Sequence, residues 1–124
     1  MFAMAVATSA FAGCAAGPQA ETGPQYDGYS SLIIDDGLVN FLVTMRGVEA
    51  REQITDYADC IAAGYALERG NGFARHVRTN VSKEAGIWRA DAVYTISPTL
   101  PQGLRTIDTE VAVQNCAADA IPTD

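Results

Sequence analysis

Basic residues are scarce and confined: no lysine or arginine occurs before Arg46 or after Arg105. The chain carries 8 basic and 15 acidic residues, a formal net charge of −7. Phosphate backbones and anionic headgroups repel such a domain, so nucleic acid is not an expected partner. Histidine is limited to His76. A serine or cysteine hydrolase needs a nucleophile, a base and an orienting group. His76 lies in an alternating stretch between Arg75 and Val77, opposite Phe73, and reads as a surface residue. There is no C-x-x-C pair, no H-E-x-x-H, no Gly-rich phosphate loop and no EF-hand loop. No catalytic residue, metal site or cofactor is expected on these grounds. Long apolar runs are lacking too: the N-terminal stretch holds about a dozen apolar residues, short of the ~20 that span a bilayer.

What is present is a chain of 124 residues, 48% of them hydrophobic, enough for one domain with a core. The opening MFAMAVATSAFAGC is apolar and rich in small residues, which suits a signal peptide over residues 1–13. Phe11-Ala12-Gly13-Cys14 resembles a lipobox, the motif cut by lipoprotein signal peptidase just before a cysteine that then carries lipid. Ala10-Phe11-Ala12 also fits ordinary signal peptidase, which would free a soluble protein beginning at Gly13. Residues 14–28 hold the glycines and prolines of a flexible, lipid-anchored tether.

With Cys14 lipidated, Cys60 and Cys116 remain as a pair. An oxidising compartment favours a disulfide between them, stapling helix to sheet. Asp35-Asp36-Gly37 reads as a hairpin turn between the apolar run Ser31–Ile34 and the alternating strand Leu38–Arg46. Residues 49–69 repeat Ile54, Tyr57, Ala58, Ile61 and Tyr65 at helical spacing, with Gly70 just beyond the end. Glu52, Asp56 and Asp59 fall on its wet face. Further strands are expected over Phe73–Val81, Ile87–Ile96 and Leu104–Asn115. These last three would form an antiparallel meander, and the Leu38–Arg46 strand would run parallel to its neighbour through a right-handed crossover.

The expected fold class is α+β: a two-layer sandwich, one long helix on a mixed, mostly antiparallel sheet of four or five strands. The domain would occupy residues 29–118, with a frayed tail over 119–124. His76, Arg78, Arg89 and Asp91 would share the uncovered sheet face, as a charge ladder or as a binding surface.

Several stretches together resemble small proteobacterial envelope lipoproteins of unknown function. They are Gly28-Tyr29-Ser30, Met45-Arg46-Gly47, Tyr57-Ala58-Asp59-Cys60, Ala66-Leu67-Glu68-Arg69-Gly70 and, more weakly, Gly72-Phe73-Ala74. The resemblance implies a domain held to a membrane through lipid on Cys14, with no assigned activity. Ala15 after the cysteine, by resemblance to enteric lipoproteins, points to the outer membrane, facing the periplasm. A non-enzymatic structural or interaction module with an envelope protein partner is the leading expectation. A soluble periplasmic ligand- or peptide-binding domain is the alternative.

Overall fold

A computed structural model describes residues 23–100, 102–103 and 106–124. The segment expected as a signal peptide, Cys14 and the expected tether up to residue 22 lie outside the described residues. The elements are β1 (Gln25–Asp35), β2 (Leu38–Arg46), α1 (Arg51–Glu68), β3 (Phe73–Glu84), β4 (Ile87–Ser97), β5 (Thr106–Asp108) and α2 (Thr109–Ala118). The strands form one sheet in the order β1-β2-β4-β3-β5, every pair antiparallel.

This overturns the expected sandwich of one long helix on a mixed sheet. The protein is mostly sheet, five antiparallel strands curled into a half-barrel and accompanied by two helices. β2 and β3 do run in the same direction around the α1 crossover, but β4 lies between them, antiparallel to both. A tight Ala85-Gly86 turn makes β3 and β4 a hairpin, and it is the hairpin's second strand that reaches β2. Nor do the last strands form a meander, because β5 pairs with β3 rather than with β4. Register shifts in β1 and β3 sharpen the local twist and so the curl.

The alternation of β2 sets the inner face: Val39, Phe41, Val43 and Met45 are buried. Ala90, Ala92 and Tyr94 of β4 join them, and α1 contributes Ile54, Tyr57, Ala58, Ile61 and Tyr65. Phe41 is the hub, meeting Tyr65 and Tyr94 edge-on at 5.1 and 5.9 Å between ring centroids. Such aromatic pairs add ~0.5–1.5 kcal/mol each beyond the area they bury.

β1 begins at Gln25, so residues 25–28 belong to the sheet and not to a tether. Two polar contacts hold this strand. Arg46 donates from Nε and Nη2 to the Asp27 carboxylate at 2.9 and 3.0 Å, which holds that carboxyl below its ordinary range. The Gly28 amide donates to the Tyr57 hydroxyl at 3.1 Å, tying β1 to α1.

Ala50 is the N-cap of helix α1 and has no capping side chain; the Gln53 side-chain oxygen accepts from the Glu49 and Ala50 amides instead. At its other end Asn71 donates to the Ala66 carbonyl and Gly70 turns the chain with φ +77°. The second helix replaces the strand expected over Leu104–Asn115. The Asp108 side chain caps it by accepting from the Val111 amide at 3.2 Å. The buried Thr109 hydroxyl donates to the Asn71 carbonyl at 2.9 Å. The residues after α2 are not frayed: Ile121 donates to the Cys116 carbonyl and packs against the core. Thr123 lies so close over Gly64 that no β-carbon would fit there.

Cys60 and Cys116 are disulfide-bonded, with their α-carbons 6.0 Å apart. The bond joins α1 to α2, not helix to sheet, because Cys116 sits on a helix.

Candidate functional site

The inner face opens at one side of α1. Arg51, Thr55 and Asp59 succeed one another at four-residue spacing and therefore share a stripe of the helix. They face His76 and Thr79 of β3, and Thr106 and Ile107 of β5 close the third side. The result is a cleft of about 530 Å³ lined by charged and hydroxyl side chains, within the ~300–1,000 Å³ range of small-ligand sites.

A bulge in β3 puts His76 there. The pairing runs His76↔Tyr94 and then Arg78↔Val93, so Val77 is the extra residue. Before the bulge Ala74 and His76 point inward. After it Thr79 and Val81 do, opposite Ala92 and Ala90. Strict alternation over Phe73–Val81 would put Val77 on the same face as Phe73 and Val81, but Val77 is 48% exposed. The expected binding face is thereby split. Arg78 and Asp91 do meet on the outer face, 3.6 Å apart, where Asn40 also donates to Asp91. Arg89 lies beside them on β4, between Thr44 and Ser82. His76 is on the opposite side of the sheet.

Inside the cleft the groups are ordered. His76 Nε2 lies 2.6 Å from Thr79 Oγ1, and its ring stands edge-on to Tyr94 at 5.3 Å between centroids. The Tyr94 hydroxyl donates to Asp59 Oδ1. Burial pushes the Tyr94 hydroxyl far above its ordinary value, and the adjacent Asp59 carboxylate adds to this, so the phenol stays protonated. Asp59 is thus a half-buried floor group rather than part of a wet helix face. Asp56, one turn back, does face out. Its carboxyl is pushed up first by partial burial, then by repulsion from Asp59, Glu52 and Asp119. Arg51 stands exposed at the mouth.

Hydroxyl directions matter for what the cleft can accept. Thr55 Oγ1 donates to the Glu52 carbonyl at 3.1 Å, and Thr106 Oγ1 is aimed at the Gly103 carbonyl at 3.5 Å. Among the described residues no cluster of three His, Cys, Asp or Glu side chains could hold a metal ion.

Of the lining residues sequence reasoning singled out His76 alone; it missed Arg51, Thr55, Asp59, Thr79, Thr106 and Ile107 as members of a site. The stripe of Arg51, Thr55 and Asp59 was readable from its spacing. The bulge that turns His76 toward it was not.

Residues 26–120 match the family of the YNQ4 C-terminal domain. This chain belongs to that family. An 87-residue stretch is 34% identical to the Uncharacterized 26.9 kDa protein in nqo8 5'region of Paracoccus denitrificans, covering 70% of this chain. The same stretch covers 34% of that protein, so this YNQ4 C-terminal domain corresponds to about a third of its relative. No solved structure matches the chain. The matched segment runs from the second residue of β1 to two residues past α2 and includes every residue lining the cleft.

Proposed function

We propose that this chain is an exported cell-envelope protein, anchored through lipid on Cys14 in the outer membrane and facing the periplasm, whose domain is a non-enzymatic binding module. The observation that carries the binding role is the cleft: a guanidinium, a carboxylate and several hydroxyls converge on one space from α1, β3 and β5. Convergent polar groups in a concave site are the usual mark of ligand recognition. The Cys60–Cys116 bond supports export, because such bonds persist in oxidising compartments. It also leaves Cys14 as the remaining thiol for lipid.

Mass spectrometry of the protein recovered from cells tests the reading. An acylated Cys14 as first residue is the expected result. A free Gly13 would replace the anchor with a soluble periplasmic ligand- or peptide-binding domain. An intact Met1 with reduced Cys60 and Cys116 would overturn export altogether.

A further inference from the structure

Beyond the cleft, we infer that the outer edge of β1 is a docking site for an extended segment of a basic protein partner, added to the sheet as one more strand. β1 and β5 are the two ends of the sheet order, so this site lies at the opposite edge from the strand that walls the cleft. Among the described residues no strand pairs with the side of β1 that faces away from β2. The pairing of β1 is regular from Tyr29 to Ile33, between two register shifts. The Gly28 amide just before this stretch is taken by Tyr57. Within the stretch, alternate amides and carbonyls point away from β2 and are met by water or by another strand. Ser30 and Ser31 are exposed and small, so no bulky side chain screens them.

The chemistry of the partner follows from what lines this edge. Leu32, Ile33, Ile34 and, behind Ser30, Leu42 are four of the seven large hydrophobic residues exposed among the described residues. Apolar groups gathered at one place on a surface mark an interaction site. Leu32 is paired with Asn40 on the outer face and Ile33 with Val39 on the inner face. A strand that is apolar on both faces therefore fits beside them. Asp35 and Asp36 follow at once, both exposed and with no basic side chain in ion-pair contact among the described residues. Lysine or arginine in the partner supplies the missing charge. A second copy of this chain does not. Pairing Tyr29–Ile33 with itself places Ser31 on the two-fold axis and carries Asp35 of each copy toward Asp27 of the other, where Arg46 is already bound to Asp27. Each copy also has a net charge of −7, which opposes self-association and contact with anionic lipid alike.

The probe is acetyl-Lys-Lys-Val-Val-Val-Thr-Thr-amide, which sets its lysines beside Asp35 and Asp36 when it runs antiparallel to β1. It is titrated into the isotope-labelled full chain and followed by amide chemical shifts. Saturable shifts over residues 29–36 and the adjoining residues of β2 are expected, with the cleft residues unmoved. The same peptide with two glutamines in place of the lysines should bind about threefold to tenfold more weakly, the scale of two exposed charge pairs. That difference should vanish at about 1 M salt. Asp35→Asn combined with Asp36→Asn should bring the lysine peptide down to the level of the glutamine peptide and leave the latter as it was, a double comparison that a general loss of fold would not reproduce. Equal affinity of the two peptides for the unsubstituted chain would overturn the basic partner. Shifts confined to other residues, or no shifts with either peptide, would overturn docking at this edge. Shifts over residues 29–36 that grow with protein concentration before any peptide is added would give the edge to a second copy. Broadening of those residues by phosphatidylglycerol vesicles, without peptide binding, would give it to lipid. Either result overturns the proposal.

Discussion

Tyr94 is the residue on which core and cleft meet. Its ring packs against Phe41 and His76, and its hydroxyl is given to Asp59. Tyr94→Phe keeps the ring and removes only that donor from a half-buried carboxylate. A destabilisation of about 1–3 kcal/mol is expected, measured as a lower urea midpoint with unchanged slope. Asp56 acts in the opposite sense. Its folded-state pKa is raised, so its ionised form opposes folding at pH values above that raised value. The penalty disappears as pH falls below the ordinary carboxylate value of 3.8. Asp56→Asn should therefore raise the thermal midpoint near neutral pH, by an amount within the ~0.5 kcal/mol typical of surface changes. The two melting curves should converge toward about pH 3.

At the scale of elements, the least supported piece is α2. It has ten residues, below the ~12–15 at which an isolated helix becomes even marginal. Only Thr109 and Cys116 of it are buried. Its stability comes from the Asp108 cap, the Thr109 bond to Asn71, the tail packed on Gly64 and the disulfide to α1. The disulfide closes a loop between residues 56 apart in sequence. Chain-entropy arguments assign such a loop about 4 kcal/mol. Paired Cys60→Ser and Cys116→Ser substitutions should lower unfolding free energy by about 2–4 kcal/mol. Hydrogen exchange should show the loss falling first on α2 and residues 119–124. Protection of β2 and β4 should persist until global unfolding.

Across the whole molecule, the curled sheet covers its own inner face with α1 but leaves β1 as an edge. α1 packs on β2, β3 and β4, and the far end of β1 lies beyond its cover. Leu32, Ile33 and Ile34 are 66, 66 and 51% exposed as a result. No lysine, proline or inward charge, three of the devices that blunt edges, interrupts this part of the strand; a register shift between Ile33 and Asp35 is what breaks it. Ile33→Lys should raise the protein concentration tolerated on mild heating, read by light scattering. The unfolding midpoint should move by no more than the ~0.5 kcal/mol of a surface substitution.

The parts legible in one dimension were those governed by local periodicity and chain stereochemistry. β2 alternates apart from Leu42, α1 shows a 3.6-residue repeat ended by Gly70, and Gly37 makes a left-handed turn, and each forms close to where its pattern lies. Pairing of Cys60 with Cys116 followed from arithmetic on three thiols. The region after Gly103 was misread because Ile107, Val111 and Val113 satisfy a strand pattern as well as a helical one. Val111 is in fact 51% exposed on α2, and the deciding signal, Asp108 as an N-cap, is weak in isolation. Strand order, the bulge at Val77 and the inward turn of His76 have no local signature. A one-residue insertion in a period-2 strand reverses every side chain beyond it, and which residue is extra depends on how β3 packs against β4. Secondary structure in this protein was therefore written largely in neighbouring residues. The cleft was decided by tertiary pairing, because its members come from three elements that only the folded sheet brings together.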